Sequence, residues 1–332
     1  MAALVVSVDV GKTGCRAALF EGERRLEQVE HEGARGAADS QGLSAALHAV
    51  DAVAARLDPV GQCVDAVGAG VAGLGQAADG AATVAEHLSA CFGTRKVAVA
   101  SDMTTSHAGA LLGAPGVVVA AGTGTVALAV DEAGHAERAG GWRYLIGDDG
   151  SGYAIGRAGL RGALKYHERR GGSALLHHLA ERRYGPPGQI PGLVHGAQNP
   201  AREVAAFASE VAVAAREGDR MAAEIWRNAA VALADTTVAA TRLTAADTTP
   251  VAISLTGGLS TVADLFADPW ASEVLERLPN ARVQPASGDA LDGGRVLAVS
   301  RYGPHEPLTY RLDGPRKREL SEHDSGAAAG AP

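Results

Sequence analysis

Aromatic side chains are scarce in this sequence: three Trp, six Tyr and four Phe make up only 4% of its 332 residues. Hydrophobic residues still account for 46% of the chain and charged residues for 20%, which is typical of a globular protein and excludes a disordered one. The cores are therefore expected to consist of small side chains, and the length is sufficient for two domains.

Cysteine and long apolar runs are also rare. Cys15, Cys63 and Cys91 are scattered and odd in number, so they indicate neither a disulfide framework nor metal-ligand spacing. No apolar run approaches the ~20 residues that span a bilayer, and the N-terminal MAALVVSVDVG lacks the basic segment of a signal peptide. We therefore expect a protein of the reducing cytoplasm with no membrane partner.

An excess of positive charge is absent as well. The net charge is −8 at pH 7, and the basic residues form no stripe interleaved with aromatic residues. Because nucleic-acid surfaces are typically basic, the sequence argues against a nucleic-acid partner.

Glycine, by contrast, is abundant and recurs at the ends of apolar runs. In VVVAAGTGTVALAV (residues 117–130) two β-branched, alanine-rich runs flank the turn Gly122-Thr123-Gly124-Thr125, which predicts a hairpin. Such a turn lets a ligand approach the main chain closely, and its free N–H groups can form an anion-binding concavity. An ordinary glycine hairpin is the alternative.

A similar hairpin is predicted at the N-terminus. A buried strand over residues 3–8 ends at Asp9, and Gly11-Lys12-Thr13-Gly14 follows before the next strand over 15–20. The spacing is not that of a Walker loop, so we predict a phosphate-binding hairpin with Lys12 as a point charge. Asp9 could hold Mg²⁺ through water. A plain turn with a surface lysine is the alternative.

Three further features follow predicted strands. Asp102 stands between the strand over 97–100 and a helix over 104–112, where open α/β sheets carry functional groups, although it could simply cap that helix. Asp148 and Asp149 lie in a glycine-rich loop before a helix over 154–168, where they could also act as an N-terminal acid pair. The turn Thr256-Gly257-Gly258 ends a strand over 251–255.

The order of predicted elements indicates two α/β halves, each beginning with a glycine-tipped hairpin, with nucleotide bound between them. The first half ends near residue 112. Residues 171–200 are predicted to be a mostly irregular insertion with a short helical stretch, and the polar stretch beyond about 303 is predicted to be a disordered tail.

The sequence resembles the N-acetylglucosamine kinase and glucosamine kinase branch of the actin/hexokinase-like ATPases, closest to bacterial glucosamine kinase. The resemblance covers residues 4–300 and rests on DVGKTGCRAAL, ASDMTTSHAGAL, VAAGTGTVALAV, GGWRYLIGDDGSGYAIGRAGLRGAL and ISLTGGLS. Of these, GGW…GDDGSGYxIG is the most specific, whereas DxGxTxxR and TGG are shared across the superfamily.

The resemblance implies a fold of two actin/hexokinase-like (ribonuclease H-like) α/β domains with a nucleotide cleft between them. The domains would be residues 1–112 and 113–302, with a helical insertion near 165–245, a last helix able to pack back on the first domain, and the tail at 303–332. It further implies a homodimer that uses ATP and Mg²⁺ to phosphorylate a small amino sugar.

The resemblance also implies a role for each matching residue. The nucleotide would contact Gly11, Lys12, Thr13, Gly122, Thr123, Gly257 and Gly258. Asp102 would be the catalytic base, and the sugar would contact Asp102, Thr123, Gly124, Asp148 and Asp149. Asp102 would accept the hydroxyl proton as the sugar attacks the γ-phosphoryl group.

The sequence departs from this pattern near the sugar. The stretch GARGAADSQG lacks the asparagine usual in N-acetylglucosamine kinases, and Asp149 stands where glutamate is usual. Because a carboxylate could pair with the ammonium of a free amino sugar, we predict phosphorylation of the 6-hydroxyl of glucosamine. N-acetylglucosamine is the alternative substrate. An activator-type ATPase and an actin-like filament protein are more distant alternatives.

Overall fold

The computed structural model describes residues 2–12, 14–57, 63–74, 79–244 and 250–314. Thr13, predicted to contact nucleotide, and the last part of the predicted tail lie outside the described residues. The described strands form two sheets, one of six strands and one of five.

The first sheet has the strand order β11-β5-β4-β1-β2-β3. A hairpin and a third antiparallel strand come first in the chain, and β4 and β5 then add in parallel to β1. Its strands are β1 (Leu4–Val10), β2 (Gly14–Glu21), β3 (Arg24–Glu32), β4 (Ala66–Val71), β5 (Val97–Ser101) and β11 (Tyr310–Leu312).

The second sheet repeats this order as β10-β9-β6-β7-β8. It also begins with an antiparallel hairpin and a third strand, followed by two parallel additions. Its strands are β6 (Gly116–Ala121), β7 (Thr125–Val130), β8 (Ala136–Gly140), β9 (Val251–Thr256) and β10 (Ala281–Val283).

Helices cover both sheets. The helices of the first half are α1 (Gly42–Ala54), α2 (Gly80–Phe92) and α3 (Asp102–Ala110), and α3 leads into the second half. The others are α4 (Gly152–His167), α5 (Ala174–Tyr184), α6 (Ile190–Gly196), α7 (Pro200–Ala206), α8 (Ala208–Arg216), α9 (Arg220–Leu243), α10 (Asp268–Arg277) and α11 (Ala290–Val299). Among the described residues, no helix combines the length and hydropathy needed to cross a bilayer.

The cores follow the predicted small-residue composition. The first sheet buries Val6, Val8 and Val10 against α1 and α2, whose buried positions are mostly alanine and valine. The second sheet packs against the long helix α9 and its neighbours, where Trp226 and Trp270 are almost fully buried. Scarce aromatics are thus concentrated in the larger core.

Helix α11 belongs late in the chain but packs on the first half. Leu291 is buried with Val5, Ala18 and Phe20 of the first sheet. A Cβ added at Gly293 would come within 1.8 Å of the carbonyl oxygen of Thr105, so the backbones of α11 and α3 are in close contact. This helix therefore ties the end of the second half to the first sheet.

Two local predictions need correction. Residues 171–200 carry two helices, α5 and α6, where one short helical stretch was predicted in a mostly irregular segment, because Leu176 and Leu179 of α5 enter the second core. Residues 303–312 are not a disordered tail: β11 pairs antiparallel with β5, and Leu312 is buried in the first core. Both segments look polar in sequence, yet a few apolar residues anchor each one.

Candidate active site

The tips of the two hairpins are tight turns closed by their own backbone. The N–H of Gly11 donates to the carbonyl of Gly14 at 2.9 Å, and the N–H of Gly122 donates to that of Gly124 at 2.9 Å. A Cβ added at Gly122 would meet no atom within 4 Å. The second hairpin thus leaves open space beside its backbone, as close approach of a ligand requires.

A cavity of about 450 Å³ is lined by residues from both sheets. Asp9 of β1 and Ala120 of β6 line it, together with Thr256 and Gly257 at the end of β9. Its volume falls within the usual range of small-molecule sites. Three of the predicted motifs therefore reach one cavity or its edge.

An ionic network supports the side of this cavity formed by the first half. Arg16 donates to Asp9 at 2.7 Å and to Asp289, the N-cap residue of α11, at 3.3 Å. Asp289 also accepts a bond of 2.8 Å from Arg25. Sequence reasoning assigned no role to Arg16 or Asp289, although Arg16 is the arginine of DxGxTxxR.

Asp9 has one carboxylate oxygen available for the magnesium ion that the resemblance implies. Arg16 bonds to its Oδ2, whereas Oδ1 accepts no hydrogen bond from the described part of the chain. Burial raises the pKa of Asp9, and Arg16 counteracts this effect. A carboxylate oxygen of this kind on a cavity wall fits Mg²⁺ bound directly or through water.

Asp102 is the first residue of α3, but it is not the cap of that helix. Ser101 is the N-cap, and its hydroxyl accepts a bond of 3.1 Å from the N–H of Thr104. The capping alternative is therefore excluded. Burial raises the pKa of Asp102, and the negative charge of Asp9 adds to this effect, whereas Lys12 lowers the pKa.

Asp148 is held over the second hairpin. Its backbone is left-handed, with a φ of 60°, and its Oδ2 would lie 2.6 Å from a Cβ added at Gly124. Only glycine at position 124 leaves room for this carboxylate. Burial raises the pKa of Asp148, and the positive charge of Lys12 counteracts this effect.

Three hydrogen bonds fix the loop that carries Asp148 and Asp149. The Thr125 hydroxyl donates to the Asp149 carbonyl at 2.9 Å, and the N–H groups of Gly152 and Tyr153 donate to Gly122 and Thr123 at 2.8 and 3.1 Å. The cap of α4 is Ser151, so neither acid caps this helix. The Asp149 side chain is exposed and accepts no hydrogen bond within the described residues.

A second cavity, of about 1010 Å³, is lined by Lys12, by Asp39 of the β3–α1 connection and by Asn199 and Arg202. Asp39 pairs with Arg143 of the second half at 2.8 Å, and this pairing lowers the pKa of Asp39. The sequence did not predict Asp39, Arg143, Asn199 or Arg202 as site residues, since contacts between residues far apart in the chain leave no local pattern.

The predicted residues thus fall into one region, with distinct environments. The charges of Asp9 and Lys12 act on the pKa of Asp102, and the charge of Lys12 acts on the pKa of Asp148, so these four side chains lie near one another. Gly258, like Gly122, faces open space. The region offers exposed glycine backbone, the cations Lys12 and Arg16, and several carboxylates, which suits a phosphorylated ligand beside a polyhydroxyl one.

Comparisons with known proteins agree with this arrangement. The model of the BadF/BadG/BcrA/BcrD ATPase family matches residues 6–293. The N-acetylmuramic acid/N-acetylglucosamine kinase of Clostridium acetobutylicum is 25% identical over 207 residues, which covers 62% of this chain and 68% of that protein. The N-acetyl-D-glucosamine kinase of Dictyostelium discoideum is 28% identical over 190 residues, covering 56% of this chain and 59% of that protein.

Solved structures share the fold. A candidate N-acetylglucosamine kinase from Chromobacterium violaceum has a TM-score of 0.70 at 26% identity, covering 90% of this chain and 99% of that one. A ROK family glucokinase from Streptomyces griseus, solved with glucose and AMPPNP, has a TM-score of 0.59 at 20% identity, covering 91% and 100%. These likenesses confirm the predicted two-domain actin/hexokinase-like α/β fold.

Proposed function

The chain belongs to the BadF/BadG/BcrA/BcrD ATPase family, and from this membership we propose that it is an ATP-dependent amino-sugar kinase. The observation that carries the proposal is the meeting of Asp102, Lys12 and Asp148 between two glycine-tipped hairpins. The hairpins and Asp9 would serve to bind ATP, and Asp102 and Asp148 add carboxylates beyond them. The additional carboxylates are the groups that a second, hydroxyl-bearing substrate requires.

The nucleotide would lie along the two hairpins and the β9 turn. Backbone N–H groups near Gly11 and Gly122 would hold its phosphates, with Lys12, Thr13 and Thr123 as further donors, and Gly257 and Gly258 would pack against the adenosine. Asp9 would hold Mg²⁺, which neutralises phosphate charge when bound. Most of the rate would come from positioning and charge neutralisation, because phosphoryl transfer requires little covalent chemistry from the protein.

Asp102 would act as the base that accepts the proton of the attacking hydroxyl. Its raised pKa makes the carboxylate a better proton acceptor than an exposed aspartate, and the positive charge of Lys12 favours its ionised form. Ser101 caps the helix, and Oδ1 of Asp102 accepts a bond of 2.9 Å from the N–H of Met103, so Oδ2 would accept the proton. Closure of the two halves would exclude water and suppress ATP hydrolysis.

For the sugar, we propose glucosamine, phosphorylated on its 6-hydroxyl to give glucosamine 6-phosphate. Asp148, partly buried over Gly124, suits a ring hydroxyl, with Thr123 beside it. The exposed carboxylate of Asp149, without a hydrogen-bond donor in the described chain, suits the 2-ammonium group. N-acetylglucosamine is the second candidate, and the names of the two relatives and of the Chromobacterium violaceum protein favour it.

The test is a side-by-side measurement of kcat/KM for glucosamine, N-acetylglucosamine and glucose with ATP and Mg²⁺. ADP release that requires an amino sugar supports the kinase, and a preference for glucosamine supports the role of Asp149. A preference for N-acetylglucosamine overturns the sugar choice alone. ATP hydrolysis that no sugar stimulates overturns the kinase and favours an activator-type ATPase.

Three further properties belong to the same proposal. We propose the boundary between the two domains at 112/113, a homodimeric assembly and a cytoplasmic location. Light scattering of the purified chain tests the assembly, and limited proteolysis near residue 113 tests the boundary.

A further inference from the structure

A group of three side chains with different donor atoms lies away from the cleft, on the helices that cover the first sheet. Asp51 belongs to α1, and His87 and Cys91 belong to α2. One ligand atom from each lies within 4.8 Å of the others. No part of the proposed kinase reaction uses these residues.

The three side chains converge on a single atom. The Nε2 of His87 donates to Oδ1 of Asp51 at 2.7 Å, and the Cys91 thiol donates to the same oxygen at 3.7 Å. His87 and Cys91 are four residues apart in one helix, so they share one face. The helix geometry therefore holds two donors side by side, and the neighbouring helix presents the carboxylate to both.

From this convergence we propose that Asp51, His87 and Cys91 bind a zinc ion that links α1 to α2. Zinc takes nitrogen, sulfur and oxygen ligands at about 2.0–2.3 Å in a tetrahedron, so its ligand atoms stand about 3–4 Å apart. The observed separations are within reach of small side-chain adjustments. Water would occupy the fourth position.

The donor set distinguishes this site from the magnesium site at Asp9. A thiolate and an imidazole favour zinc and related transition metals, whereas Mg²⁺ prefers oxygen ligands. The metal would replace the two protons that now point at Asp51.

The site is also accessible. The side chain of Asp51 is 52% exposed and that of His87 is 28% exposed, so an ion can enter without unfolding the core. Because a folded-state ligand stabilises by mass action, zinc bound here should raise the melting temperature.

The test is a titration of the full chain with Zn²⁺ and with Co²⁺, in the presence of excess Mg²⁺. We expect one ion per chain, a thiolate-to-cobalt charge-transfer absorption, and a higher melting temperature with Zn²⁺. Cys91→Ser and His87→Gln should each weaken zinc binding about tenfold or more, and Cys91→Ser should remove the charge-transfer absorption.

Two variants serve as matched controls. Cys63→Ser removes the other exposed cysteine, and His135→Gln removes a histidine that bonds to Asp131 at 2.8 Å without a cysteine neighbour. Both should bind zinc as the parent does. Circular dichroism without metal shows whether each variant is folded. Absence of stoichiometric binding, a cobalt complex without thiolate absorption, or equal affinity in folded Cys91→Ser and His87→Gln variants overturns the proposal.

Discussion

The two halves of the molecule share a strand order but differ in the side chains at corresponding points. The next-to-last residue of β1 is Asp9, whereas that of β6 is Ala120, and both line the same cavity. The acid Asp102 follows β5 directly, whereas Gln284 follows β10. The first hairpin carries Lys12, and the second carries only threonine and glycine at its tip.

The difference extends to the loop between the third strand and the first helix of each half. In the first half this loop carries Asp39, and in the second it carries Arg143, Asp148 and Asp149. The two loops are joined by the Asp39–Arg143 ion pair. The comparison teaches that a repeated fold supplies two similar hairpins with different charged side chains: Asp9, Lys12 and Asp102 lie in the first half, and Asp148 and Asp149 lie in the second.

The sharpest test of this division is to remove the proposed base, Asp102. We predict that Asp102→Asn lowers kcat about 10²- to 10⁴-fold with ATP affinity kept, because it removes a general base. The Asp102→Asn variant should also have a slightly higher melting temperature, since burial disfavours the charged form of Asp102 in the folded protein. Steady-state kinetics and thermal unfolding measure both effects.

Ser101→Ala is the control for Asp102→Asn, because it removes the helix cap and leaves the acid. It should cost about 1 kcal/mol of stability with much smaller effect on turnover. Near-parental kcat in Asp102→Asn would assign the chemistry to another group.

The backbone cradle of the second half is tested by glycine substitution. Gly122→Val should weaken ATP binding about tenfold or more while the fold is retained, because the side chain meets no protein atom but enters the proposed phosphate space. Gly257→Val should weaken binding and also lower the melting temperature, because its φ is 88° and its Cβ would lie 2.4 Å from the Ala121 oxygen. Calorimetric titration with ATP measures the affinity.

Gly188→Val is the matched control for Gly122→Val, since position 188 also has open space but lies away from the cleft. Its ATP affinity should equal that of the parent. If folded Gly122→Val binds ATP equally well, the second hairpin does not hold phosphate.

The buried contact between the two halves at His107 and His305 should be destabilised at low pH. His107 and His305 are buried and share a bond of 2.8 Å, and His107 also bonds to the Gly116 carbonyl at the start of β6. Burial lowers the pKa of His107 to about 4 and that of His305 to about 3. Because unfolding restores pKa values near 6.5, stability should be complete above pH 6.5 and fall as the pH drops toward 4, by about 3 kcal/mol for His107 alone.

Chemical denaturation between pH 7 and pH 4.5 measures this loss. His305→Gln should flatten the dependence, because one of the two histidines no longer takes up a proton on unfolding. An unchanged slope in that variant would mean that carboxylates, and not the histidine pair, control acid stability.

The smallest effect is expected at the ion pair that joins the two loops. Arg143→Gln should change KM for the sugar less than about fivefold and should be masked by salt, since exposed pairs contribute about 0–1 kcal/mol. A double-mutant cycle with Asp39→Asn at low and high ionic strength measures the coupling. A large, salt-independent coupling would indicate that the pair controls closure of the cleft.

Local patterns in the sequence determined much of the fold. Alternating and continuous apolar runs predicted the two hairpins, and Ala66–Val71 was predicted with its observed bounds. These predictions succeed because periodicity and glycine turns act within a few residues. The short strands β10 and β11 were missed, and the helical part of residues 171–200 was underestimated, since few apolar residues mark these segments and tertiary packing decides their structure.

The sequence by itself showed which residues stand at or after the ends of strands, namely Asp9, Asp102, the Asp148-Asp149 pair and the glycine turns. Only the tertiary structure decided what they do there. It assigned capping to Ser101 and Ser151, set Asp148 over Gly124, and brought Asp51 to Cys91 across 40 residues. The physical reason is that helix capping competes among adjacent residues, and distant side chains meet only when sheets and helices pack in three dimensions.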